Sequence, residues 1–206
     1  MQIKDAIIKI SDIHDQLLKT EVYRGFRASH MIIVGAIACA GSFFQHNIIG
    51  DNPGLKFIYY WLFIAVISGG ISAVFLFYNY YFHKSYLTRK KTPQIMRQFF
   101  PGITAGAMIT AGIIAFQPES ITLLPGLWSI CFAVSIFSII PYFIQSAVWV
   151  ALYYFIFGFI LLYLISIGKA FEPWGMGATF GGGHIILGIM IFITLEKTNN
   201  EKNSEF

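Results

Sequence analysis

PWGMGATFGGGHIILGIMIFITLE, residues 173–196, decides what kind of protein this chain is. The stretch opens on Pro173 and Trp174 and closes on Glu196, and His184 is the one ionisable side chain between them. A run of that length and polarity crosses a bilayer as a helix, which takes ~20 apolar residues. Gly177, Gly181, His184 and Gly188 follow at intervals of four, three and four residues, so they share one helical face. A line of glycines lets a second backbone come close, as small residues do between membrane helices. The histidine sits on the same face, which makes these four residues a candidate packing or ligand site.

Five similar stretches precede it, at about 28–46, 57–80, 99–117, 121–140 and 145–167, and the last span reads as 174–195. Of the 206 residues, 56% are hydrophobic and only 12% charged, and the mean hydropathy is +0.66. Soluble domains carry about 25% charged residues, so most of this chain has lipid for a solvent. The expected fold is an all-α polytopic membrane protein with six transmembrane helices as three hairpins. A cytoplasmic amphipathic helix (1–27) precedes the membrane domain (28–196), and a polar tail (197–206) follows it. The prolines fall at the ends of the expected spans, so straight helices are expected. Cys39 and Cys131 lie inside spans and read as buried thiols. Span five is nearly all bulky, which suggests a lipid-facing or late-packing helix. The serines of span four, Ser129, Ser135 and Ser138, read as bonding back to their own helix. Trp61, Trp128 and Trp174 stand near the outer ends of spans two, four and six, as an interfacial belt or as the mark of a repeated hairpin.

Charge placement gives an orientation. Twelve of the 14 Lys and Arg residues fall before span one, between spans two and three, or after span six. Lys56 and Lys169 are the other two. The positive-inside rule therefore places both termini in the cytoplasm. Within 2–27, Ile3, Ile7, Ile10, His14 and Leu17 recur at helical spacing and make an apolar face opposite charged ones. This face suits the membrane surface, a protein partner or a second copy of the chain. Between spans two and three, Lys84, Arg89, Lys90, Lys91 and Arg97 occur without an acidic residue, which favours anionic lipid. Net charge +4 is topological here, and no nucleic-acid partner is implied.

Spans two to six contain no Asp, Glu, Lys or Arg in their apolar interiors. Such groups mark proton relays and ion paths, so ion-coupled transport and acid/base catalysis at depth are disfavoured. No nucleophile–base pattern, P-loop, HExxH or CxxC occurs. No cofactor and no metal are expected. His184 reads as a neutral imidazole bonded across helices, without a partner at its depth, and His30 and His83 as polar groups near the interface. Adjacent glycines at Ser68-Gly69-Gly70 and Gly181-Gly182-Gly183 mean close packing, or a hinge next to a solute site between spans two and six. The leading expectation is a non-enzymatic accessory, sensory or partner-binding membrane component. The alternatives are a small transporter or channel for a neutral or lipid-like solute, and a membrane redox or lipid-modifying enzyme using His30 and His83.

The segments LLPGLWSICFAVSIF (123–137), WVALYYFIFG (149–158), PWGMGATFGGG (173–183) and IHDQLLKTEVYRGFRA (13–28) resemble a family of small, uncharacterised bacterial six-helix integral membrane proteins. The resemblance implies a topology and a bacterial inner (plasma) membrane. It carries no activity and no functional residues. In that family's pattern a glutamine often stands where His184 stands here.

Overall fold

The computed structural model describes residues 23, 25–50, 54–82, 86–169 and 171–197. All regular structure among them is helical, with six helices long and apolar enough to cross a membrane. They are α1 (Ala28–Ile49), α2 (Gly54–Phe82), α3 (Tyr86–Phe116), α4 (Leu124–Ile139), α5 (Ala147–Ser166) and α6. The last runs through Pro173–Met176, a π-helical turn Gly177–Gly182, Gly183–Ile191 and a second π-helical turn Phe192–Lys197. Short 3-10 turns, Pro118–Leu123 and Ile140–Tyr142, extend α4 at both ends.

Each helix packs on its neighbours in the chain, and α6 closes back on α1. The most extensive contacts are α4 with α5, α1 with α6, and α3 with α4, so the packing does not single out three hairpins. Contact between α2 and α3 is sparse. The α1–α6 contact depends on glycine. A Cβ on Gly35 would stand 2.8 Å from the Gly181 carbonyl oxygen, and one on Gly188 would stand 3.0 Å from the Ala28 carbonyl oxygen. α4 and α5 meet in the same way, since a Cβ on Gly126 would lie 2.9 Å from the Gly158 carbonyl oxygen.

The prolines do not all stand at helix ends as expected: α3 is helical from Tyr86 onward and runs through Pro93 and Pro101 without a break. Both prolines are exposed on its outer side, while Lys91, Thr92, Ile95, Gly102 and Gly106 form the buried side. The carbonyls that each proline leaves unbonded therefore face away from the packed side. Span five presents two sides: its inner line, Ala147, Val150, Ala151, Tyr154, Gly158 and Leu161, is buried, while Trp149, Ile156, Phe159 and Tyr163 are exposed. Of the three tryptophans near the outer ends, Trp61 is buried and donates to Gln45 Oε1 of α1 at 2.9 Å, Trp128 donates to Thr110 Oγ1 of α3 at 2.7 Å, and Trp174 is exposed.

The helix expected over 2–27 lies, up to residue 22, outside the described residues. Tyr23 and Gly25–Arg27 are not helical. The two glycine environments separate packing from backbone propensity. Gly35→Ala or Gly188→Ala should destabilise the protein by ~1–3 kcal/mol through overpacking. Gly69→Ala and Gly70→Ala meet nothing within 4 Å and should leave stability unchanged or raise it. Thermal unfolding of the four variants in one detergent checks this contrast.

Candidate functional site

The glycine line of α6 serves packing. Gly177 lies against Ser42, Gly181 against Cys39 and Gly35, and Gly188 against Ile32 and Ala28, all on α1. Gly182 and Gly183 lie against Tyr153 and Tyr154 of α5. The triple glycine is therefore neither unwound nor open. It carries a π-helical turn, an irregularity that often occurs at functional positions. Gly69 and Gly70 face outward and touch nothing, so the glycines of α2 and α6 are not brought together. Ser68 is on the inner side of α2, in line with Ile64, Ser72, Phe75 and Asn79.

His184 is bonded where α4, α5 and α6 meet. Its Nδ1 is 2.8 Å from both the Phe180 carbonyl oxygen and the Tyr154 hydroxyl. Protonated, that nitrogen donates to Phe180; unprotonated, it accepts from Tyr154. Phe132, at 5.2 Å between ring centroids, and Tyr154, at 6.1 Å, flank the imidazole. Nε2 has no hydrogen-bond partner among the described residues.

His30 is the residue that sequence reasoning misplaced. It is 1% exposed, inside the bundle. Opposed glycine contacts place it about one turn from His184, or ~6 Å along the α1–α6 pair. Its ring lies between Phe75 of α2, at 5.2 Å, and Phe26, at 5.9 Å. Nδ1 accepts the Arg27 backbone N–H at 3.2 Å. The next orphan donor of the α1 N-terminus, Ala28 N–H, goes to Glu196 Oε1 of α6 at 3.1 Å, a carboxylate on the positive end of the helix dipole. An accepting Nδ1 fixes the neutral ring as the Nε2–H tautomer. That N–H is buried and has no acceptor. His83, the expected partner of His30, lies outside the described residues.

A strap covers this enclosure. Tyr23 is buried, its N–H donates to the Tyr142 carbonyl oxygen at 3.0 Å, and its hydroxyl bonds Thr92 Oγ1 of α3 at 2.9 Å. Asn79 of α2 donates to the Gly25 carbonyl oxygen at 3.1 Å, and Phe26 packs edge-on against Phe143. Residues 23–27 thus tie α2, α3 and the α4–α5 connection across the end of the bundle that carries Arg27, Arg89 and Lys197. Sequence gave little sign of this, since Tyr23 and Phe26 stand among charged residues. Ser129 was also misread. It bonds across to the Tyr154 carbonyl oxygen at 2.6 Å, whereas Ser135 and Ser138 do bond back to their own helix.

Among the described residues no group of three or more His, Cys, Asp or Glu side chains is placed to hold a metal ion. Both cysteines are free thiols, but neither is buried as expected: Cys39 is exposed and Cys131 half-buried. No protein-family model, curated protein or solved structure matches the chain.

Two measurements test this geometry. Nitrogen NMR of ring-labelled protein should show His30 protonated at Nε2 and bare at Nδ1; the reverse tautomer would remove the capping bond. Burial pushes the Tyr23 phenol from its ordinary 10.0 up to about 12, against the lowering effect of the Thr92 hydrogen bond. The unfolded phenol loses its proton first. The strap therefore contributes its full stability below pH 10 and loses it as the pH rises from 10 to about 12. Tyr23→Phe should flatten that part of the alkaline unfolding profile.

Proposed function

We propose that the chain is a non-enzymatic sensory or accessory component of a bacterial inner membrane, working through a partner that binds the N-terminal segment. The strap carries this reading. A segment with an amphipathic pattern at 2–22 continues directly into Tyr23–Arg27, and that strap bonds three separate parts of the bundle. A change in helix packing therefore reaches the N-terminal segment through specific bonds. The lysine and arginine bias puts this end and both termini in the cytoplasm. Arg89, Lys90 and Arg97 are exposed there and suit anionic lipid head groups. Lys91 is buried and is dropped from that set.

No specific observation favours transport between spans two and six. An enzyme reading fares no better, because the polar side chains of the bundle interior are spent on structural bonds or, like His30, lack a catalytic partner.

Affinity capture of the full chain from native membranes should recover a stoichiometric partner or a second copy. Deleting residues 2–22 should abolish capture. Tyr23→Ala, which leaves that segment in place and frees the strap, should change capture at least severalfold. A solitary monomer in both backgrounds would overturn the reading.

A further inference from the structure

α2 is held at its two ends. Phe57, Ile58, Trp61 and Ile64 are buried at one end and Asn79 at the other, and no residue between them is. The inner line of that loose stretch carries Ser68, Ser72 and Phe75. Hydroxyls inside membrane helices ordinarily bond the carbonyl four residues back, as Thr110, Ser135, Thr179 and Thr194 do here. Ser68 and Ser72 make no hydrogen bond to the described residues. Facing this stretch from α1, through Phe75, is His30, with a buried Nε2–H and no acceptor. A buried donor left unpaired is costly, and each one calls for an explanation.

From these features we propose that the seam between α1 and the middle of α2 opens to bind a lipid-soluble molecule through a hydrogen-bond-accepting carbonyl group. Its oxygen accepts from His30 Nε2–H, and Ser68 and Ser72 supply further donors along the seam. Phe75 covers His30 in the free protein, and the ligand takes the place of that ring. Entry is lateral, through the sparse α2–α3 contact. The ligand class follows from the donor. Because Nδ1 already accepts the Arg27 N–H, Nε2 offers a proton and no lone pair. The partner must therefore be an acceptor, and the apolar, aromatic surroundings select a neutral one. Two sources share this chemistry, the ring carbonyl of a quinone and the ester carbonyl of a neutral glycerolipid.

The site supplies the stimulus that the sensory reading requires, and to that extent it rests on that reading. Asn79, which ends the loose stretch, is the residue that bonds the strap. Moving α2 therefore pulls on Gly25.

The test uses full-length protein in lipid-free detergent, titrated separately with menadione and with dioctanoylglycerol, and follows binding by thermal shift. Saturable binding of one probe is expected. It should weaken about tenfold in His30→Phe, the loss expected for a buried hydrogen bond. The Ser68→Ala/Ser72→Ala variant should also weaken binding, and Phe75→Ala should strengthen it. His184→Phe should leave it unchanged. If His30→Phe fails to unfold cooperatively, the serine and Phe75 variants decide. Absence of saturable binding for both probes, or equal affinity across the folded variants, overturns the site. Probe binding that leaves partner capture unaltered keeps the site and removes the sensory coupling. Intact capture without probe binding does the opposite.

Discussion

The backbone approach of α1 to α6 is the contact on which the rest of the bundle depends. In lipid, helices gain little from burying apolar surface against one another, so cohesion comes from close packing and from hydrogen bonds between helices. Glycines at Gly35, Gly181 and Gly188 bring the first and last helices together along most of their length. That contact closes the chain-ordered circuit and fixes the depth of both interior histidines. Glu196 completes it by capping the start of α1. A β-carbon at any of these glycines would push the backbones apart, and α2, already the least supported wall, would lose its alignment with α1.

The same accounting separates the well-bonded helices from the loose one. α3 and α4 share the Trp128–Thr110 bond, and α4 and α5 share the Ser129–Tyr154 bond. α2 is bonded to α1 near one end, through Trp61 to Gln45 and Tyr60 to the Gly41 carbonyl, and to the strap at the other, through Asn79. Between these anchors, exposed Gly69 and Gly70 lower the stiffness of the helix. A rod anchored at both ends and soft in the middle bows more readily than it tilts.

How much of this was legible in the sequence follows from which signals are local. Apolar runs and four-three-four glycine spacing are local, so the six helices and the shared face of Gly177, Gly181 and Gly188 could be read directly. The helical start of α3 could not. Charges and Pro93 look like a loop, and only the buried line Lys91, Thr92 and Ile95, which faces the core and the strap, explains the helix. His30 failed for a related reason. A histidine in the first turn of a span reads as interfacial, and it is interior only because the strap, 69 residues from Thr92 in sequence, folds over it. The tryptophans show the limit of a composition rule. Trp61 and Trp174 both stand near the outer ends of their spans, yet Trp61 is buried and bonded to Gln45 while Trp174 is exposed.

Where polar bonds are complete and where they are missing bears on function. Named polar groups at each end of the bundle are paired: Gln45, Trp61 and Tyr60 at one end, and Tyr23, Thr92, Asn79 and Glu196 at the other. Among the described residues the buried unpaired atoms are His30 Nε2, facing α2, Gln98 Oε1 on α3 and Ser146 Oγ before α5; His30 Nε2 is the one that lies against α2, where Ser68 and Ser72 also make no bond to the described residues. Unpaired donors along a wall that yields, next to a strap bonded to the end of that wall, form an arrangement suited to registering an occupant. On the proposed reading, an occupant would pair His30 Nε2 and displace α2, and the Asn79–Gly25 bond would carry that displacement to the N-terminal segment.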